Sequence, residues 1–234
     1  MKVYSEIYTN GEYLEKNEDW HDSDSDYKAQ IILQMLERNQ LYPETICEIG
    51  CGHGSVLKNI ANKLKSAQCL GVDISEKAIE FAQKNCPAHV RFEVRDVCSP
   101  AGALQSQSDL ILVIDLIEHL ENYFSFLRII QSRARFAVFH IPLDMSLWTL
   151  FREDMLLESK ERVGHIHNFT EKFICSVLND MGYEIVDKQF TRPNYNAQGF
   201  KAKTVVKLRN LLFRINQRFC AKTIGGLSLL VLAK

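Results

Sequence analysis

Residues 48–54 read Glu-Ile-Gly-Cys-Gly-His-Gly, directly after a short apolar run and just before an amphipathic stretch. Glycines at a strand-to-helix turn let backbone approach a ligand closely, and the helix that follows offers unpaired N–H groups to it. Ser55 stands where the third glycine of a GxGxxG dinucleotide fingerprint would fall, so the spacing is GxGxG and a nicotinamide ligand is disfavoured. Asp73 closes the next apolar run, where a carboxylate can accept two hydrogen bonds from a ribose diol. The third run ends in Arg95, Asp96 and Val97, an acid that could accept from an adenine amino group beside an apolar side chain that could pack on the ring. The fourth runs into Asp115-Leu-Ile-Glu-His-Leu120. Four candidate ligand-facing elements thus fall at successive strand ends, where open α/β sheets bind their ligands.

Proton transfer points to the histidines. Imidazole titrates near neutrality and can take a proton from an acceptor group, and the candidates are His119, His140, His165 and His167. His119, beside Glu118, and His165 are the two expected to act as catalytic bases. His140 lies on a strand followed by Pro142 and reads as a core or supporting group, and His53 carries no assigned role. Asp115, Glu118 and His119 could hold magnesium, but acids at a helix start stabilise the helix without any ion, and no metal is assigned.

These residues need a scaffold that delivers strand ends to one edge. Apolar runs at 45–49, 67–72, 90–94, 109–114 and 136–141 read as strands, and helical stretches at 55–65, 75–84 and 120–133 alternate with them. An N-terminal helix is expected over 26–41, stopped by Pro43. Ser75 and Thr170 are candidate N-caps, and a helix over 170–181 ends at Gly182. Strands at 183–190 and 227–233 complete the set. The implied fold is α/β, a Rossmann-like seven-stranded mostly parallel sheet with helices on both faces and an antiparallel last strand. Residues 1–44 are expected to form an N-terminal lid and helix, and 45–234 a single domain. That domain contains an insertion over 142–168 and a basic amphipathic segment over 191–223.

Formal net charge is −1, which gives no overall field to attract nucleic acid, although charge is uneven along the chain. The first 26 residues carry eight acids against Lys2 and Lys16, whereas residues 191–223 carry eight Lys or Arg and no acid. Seven cysteines without CxxC or zinc spacing fit reduced thiols of a cytoplasmic protein. The start of the chain shows no secretory signal, and the longest apolar run, near 224–233, is too short to span a bilayer.

Taken together, EIGCGHG, GVDIS, VRDV and DLIEHL resemble the class I S-adenosylmethionine-dependent methyltransferases of small-molecule or ubiquinone-pathway type. The resemblance implies S-adenosylmethionine as cofactor, with S-adenosylhomocysteine as product. It places Gly50, Cys51 and Gly52 along the methionine portion, Asp73 with neighbouring Ile74 at the ribose, and Asp96 with Val97 at the adenine. Ile114 and Asp115 would supply contacts beside the methionine amino group, and Glu48 would order the glycine loop. Trp20 and Lys28 lie on a segment that folds over the cofactor in this class, where Lys28 could neutralise the methionine carboxylate. The DxxEH stretch is similar to the ExxEH of some ubiquinone-pathway enzymes and departs from it at the first acid. The expected acceptor is a small or carbohydrate-type molecule, acidic or sugar-linked, methylated at oxygen. No nucleic-acid partner is expected, and the basic segment could touch a membrane surface weakly. The rivals are a non-catalytic S-adenosylmethionine binder and an NAD-dependent reductase, the latter lacking a YxxxK pair.

Overall fold

A computed structural model describes residues 24–84, 86–192 and 200–234, with side chains in the last stretch from Lys203 onward. The apolar runs become β1 (Thr45–Ile49), β2 (Gln68–Asp73), β3 (Val90–Val94), β4 (Ser108–Ile114), β5 (Ala134–Leu143), β6 (Ile185–Thr191) and β7 (Leu227–Ala233). The helices are α1 (Ser25–Arg38), α2 (Ser55–Lys63), α3 (Glu76–Ala82), α4 (Tyr123–Gln131), α5 (Leu147–Leu150), α6 (Asp154–Arg162), α7 (Glu171–Asp180), α8 (Phe200–Ile215) and α9 (Gln217–Thr223).

Strand side chains alternate between faces, so a strand buried on both sides must be apolar throughout. Leu110, Leu112 and Ile114 of β4 join the core against α1, α2 and α3. Ile111 and Val113, between them, join the opposite core against α4, α7 and α9. The seven strands pair in the order β3-β2-β1-β4-β5-β7-β6, and β7 runs antiparallel to both of its neighbours. The chain starts in the middle, winds outward to β3 and returns to β4 beside β1. The carboxyl ends of β1 and β4 therefore flank the switch point, where this topology leaves a crevice.

Local chemistry sets the boundaries. Ser75 accepts from the Ala78 N–H and Thr170 from the Phe173 N–H, as N-caps do, and Gly182 follows α7 with φ +88°. The helix expected over 120–133 begins later, at Tyr123, because Asn122 caps it and Ile117–His119 forms a separate 3-10 turn. The basic segment is likewise two helices, broken where Asn216 accepts from the Phe219 N–H. A short polar side chain competes with the helix backbone and favours a cap over an interior position. Past β5 the chain makes α5 and α6 before Phe169 re-enters the core, where its carbonyl accepts from the Met145 N–H. Among the described residues no helix is long and apolar enough to cross a membrane.

Candidate functional site

The glycine loop is welded to β2. The N–H groups of Gly50 and Cys51 both donate to the Val72 carbonyl, at 2.8 and 3.1 Å. The Gly52 N–H donates to Asp73 Oδ2 at 2.9 Å, and the Ser75 N–H to Oδ1 at 2.9 Å. Burial pushes the Asp73 carboxyl up, and these N–H donors oppose it. Gly54 caps α2 at φ +79°, and a Cβ there would lie 2.4 Å from the Phe92 ring, so the turn admits only glycine. It offers no side chain to the helix start. Glu48 replaces that function from β1, accepting from the Leu57 N–H, while its Oε2 has no partner among the described residues. Burial pushes Glu48 up to about 8, against the pull of Lys28. Burial also drives the Cys51 thiol well up, which removes it as a nucleophile.

One strand over, Asp115 follows β4 in the left-handed region, φ +48°, a conformation that costs a non-glycine residue about 1 kcal/mol or more. Three partners hold the network around it together. Lys28 of α1 sits 2.8 Å from Asp115 Oδ2, and His140 Nδ1 of β5 sits 2.6 Å from Oδ1. His140 Nε2 meets Thr191 Oγ1 of β6 at 2.8 Å. Burial would raise the Asp115 carboxyl, but His140 and Lys28 outweigh it and hold it well below the usual carboxylate range. For Lys28, burial lowers the ammonium and Asp115 more than restores it.

A second group lies where the insertion folds back over the sheet's edge. His165 Nδ1 donates to Asp144 Oδ2 at 2.6 Å, which leaves Nε2 as its basic nitrogen. His119 Nδ1 donates to the Gly164 carbonyl at 3.1 Å, and the two imidazoles meet edge to face with centroids 5.0 Å apart. Glu118 between them is fully buried, and neither carboxyl oxygen has a hydrogen-bond partner among the described residues. Burial, with Asp115 and Asp144 adding to it, drives Glu118 well above the usual carboxylate range. Burial and the neighbouring His165 push His119 down to about 4, so it is neutral near pH 7 and a weak base. Glu118, His119 and His165 each offer one donor atom within 4.8 Å of the others, a set that could take a divalent cation with Glu118 as the carboxylate.

The sequence-predicted residues divide accordingly. Glu48, Gly50, Cys51, Gly52, Asp73 and Ile74 gather at the ends of β1 and β2, with Ile114, Asp115 and Lys28 beside them at β4. Asp96 is exposed and its Oδ1 accepts from the Cys98 N–H, capping its own turn, while Val97 is buried in the core. Trp20 lies outside the described residues. His119 and His165, 46 positions apart in the sequence, come together. His167 donates toward the Leu120 carbonyl and meets the Tyr123 ring edge to face, a structural role. Two residues escaped the sequence reading. Asp144 has a recoverable signal, being an acid just past a strand end like Asp73, Asp96 and Asp115; Thr191 has none.

Residues 20–188 match a family model described as a methyltransferase domain. Among curated proteins the chain is 29% identical to ajmaline N-methyltransferase of Rauvolfia serpentina over 151 residues, 58% of this chain and 49% of that one. It is 23% identical to a ubiquinone biosynthesis O-methyltransferase of Leptothrix cholodnii over 112 residues, 43% of this chain and 47% of the relative. These matches span about half the length of the relatives. Among solved structures, magnesium protoporphyrin IX methyltransferase from Synechocystis PCC 6803, crystallised with SAH, superposes with TM-score 0.60 at 18% identity. That likeness covers 89% of this chain and 81% of that one, and establishes a shared fold.

Proposed function

Because the chain belongs to the methyltransferase-domain family matched over residues 20–188, we propose that it binds S-adenosylmethionine and methylates a small-molecule or carbohydrate-type acceptor at oxygen. The observation that carries this is the arrangement of two charged stations on either side of the glycine loop. Asp73 ends β2 and the Asp115–Lys28 pair follows β4, with β1 and its loop between them, so the stations stand two strand spacings, about 10 Å, apart. Asp73 suits a ribose diol. Asp115 can accept from an ammonium and Lys28 can donate to a carboxylate, a pairing that suits an amino-acid zwitterion. The solved neighbours crystallised with SAM or SAH support the same donor. The residues present fit it at both ends, and the adenine station at Asp96 and Val97 is the weaker part.

When bound, S-adenosylmethionine supplies a sulfonium methyl carbon that leaves sulfur as the acceptor oxygen attacks, the C–S electron pair staying on sulfur. The chain's task is to align the acceptor and take its proton. His165 is the base in this reading, since Asp144 fixes Nδ1 as donor and leaves Nε2 to accept. His119, held neutral by burial, contributes a hydrogen bond and orientation rather than basicity, and burial disfavours the charged form of Glu118 beside it. A cytoplasmic location belongs to the same reading, supported by seven cysteines all unpaired. An amine acceptor is the second reading, favoured by relatives named as N-methyltransferases.

Labelled S-adenosylmethionine offered with pools of hydroxylated and amine acceptors tests both. Label in an ether or ester product, lost in His165→Ala, supports the oxygen reading; label in an amine moves the chain to the second. Donor binding without turnover on any pool would leave a non-catalytic binder.

A further inference from the structure

The last acid in the chain is Asp187, and the 47 residues that follow carry ten Lys or Arg against none. This one-signed stretch includes α8 and α9, which pack as neighbours. Their inner side is anchored: Leu212 and Phe213 pack on the core, Cys220 and Ala221 are buried, and the Arg192 guanidinium lies over the Phe213 ring. The outer side is unusual for a solvated helix. Leu208, Leu211 and Ile215 follow one another on α8 at spacings of three and four and are all exposed, Ile215 at 72%, and Phe219 of α9, beyond the break at Asn216, is exposed too. Lys207 and Arg214 flank this ridge, are exposed, and make no ion pair among the described residues. The short helix α5 touches α9 and adds Leu147, Leu150 and Phe151, the last 82% exposed.

We propose that this ridge is a docking face for an anionic lipid surface. An apolar ridge on two helices that carry cations and no acid of their own matches a bilayer interface on both counts, with apolar side chains entering the acyl boundary and Lys207 and Arg214 meeting anionic headgroups, while Arg218 stays on Glu171. Nucleic acid would complement the charge and leave four large apolar side chains facing phosphate. A second copy docking through the same face would set cation against cation. Neither helix spans, so the contact lies in the plane of the interface.

The test is co-sedimentation of the full chain with vesicles of equimolar phosphatidylglycerol and phosphatidylcholine, and with phosphatidylcholine alone. Binding to the mixed vesicles only, fading as salt is added, is expected. Lys207→Gln with Arg214→Gln should weaken it roughly tenfold to thirtyfold, since each cation near such a surface contributes about a fivefold factor. Leu211→Gln with Ile215→Gln should weaken it about tenfold or more, leaving the melting temperature of the exposed-site variant unchanged. Equal binding to both vesicle types, no binding to either, affinity unmoved by both double variants, or a dimer in sedimentation that these variants dissociate would each overturn the proposal. None of these readouts depends on methyl transfer.

Discussion

Glu48 has one carboxyl oxygen on the Leu57 N–H and the other without a partner among the described residues, in a site of 2% exposure. Its folded pKa of about 8 lies above the ordinary 4.5, so the native chain holds a proton that the unfolded chain releases between those values. The stability it contributes is therefore complete below pH 4.5 and is lost as pH rises toward 8, at a slope of at most about 1.4 kcal/mol per pH unit. Glu48→Gln keeps the shape and removes the titration. Denaturant unfolding from pH 5 to 8 should show the wild-type chain losing stability faster than the variant, and parallel curves would refute the assignment. Asp115 acts in the opposite sense, since its carboxyl is held low and its contribution is lost as pH falls. Asp73 is the residue the proposed function places at the donor's ribose. Asp73→Ala removes an acceptor for the ribose and also two tethers of its own loop, at the Gly52 and Ser75 N–H groups. Donor affinity measured by calorimetry should fall by about 1–3 kcal/mol, roughly tenfold to a hundredfold. An unchanged affinity would remove Asp73 from the site.

At the scale of elements, α1 is held over the sheet by its apolar stripe, by Lys28 at Asp115, and by Arg38 and Asn39 at Asp187 of β6. Replacing Lys28 with Met leaves the stripe intact and removes the charge that faces Asp115. Hydrogen exchange in α1 should rise modestly, and donor affinity should fall about tenfold, as for one charged hydrogen bond. Faster exchange with unaltered affinity would make Lys28 a tether and nothing more. The elements themselves were largely readable from sequence, because strands buried on both faces read as continuous apolar runs and caps such as Ser75 and Thr170 announce helix starts. Less readable was what depends on long-range contact. Lys28 meets Asp115 across 87 positions, His140 meets Thr191 across 51 and His165 meets Asp144 across 21, and no local periodicity records such pairings. The burial of Glu118 is of the same kind. Its motif left open an acid at a helix start or a cation ligand, and the insertion folds over it, the Ile166 and His167 N–H groups donating to its carbonyl, so that burial drives the carboxyl well up.

Across the whole molecule, the polar chain from Lys28 through Asp115 and His140 to Thr191 joins α1, β4, β5 and β6, elements drawn from both ends of the described sequence. A donor seated between Asp73 and Asp115 would therefore bind a surface that exists only when the sheet is fully assembled. Such a ligand stabilises the native state by mass action, by about 2.7 kcal/mol at a hundred times its dissociation constant. For a chain of 234 residues that corresponds to roughly 5–10 °C in melting temperature. S-adenosylmethionine and S-adenosylhomocysteine should both produce this shift, because both carry the diol and the zwitterion assigned to the two stations in the proposed function. NAD and NADP should produce none, since the GxGxG loop lacks the third glycine of a dinucleotide site. Chelation with EDTA should change neither the shift nor the turnover, because burial disfavours the ionised Glu118 carboxylate that an ion held with His119 and His165 would need. A melting curve moved by a nicotinamide nucleotide and not by S-adenosylmethionine would reverse the donor assignment. Turnover abolished by EDTA and restored by magnesium or zinc would show that Glu118 ionises on binding an ion, and would make the buried carboxyl a ligand after all.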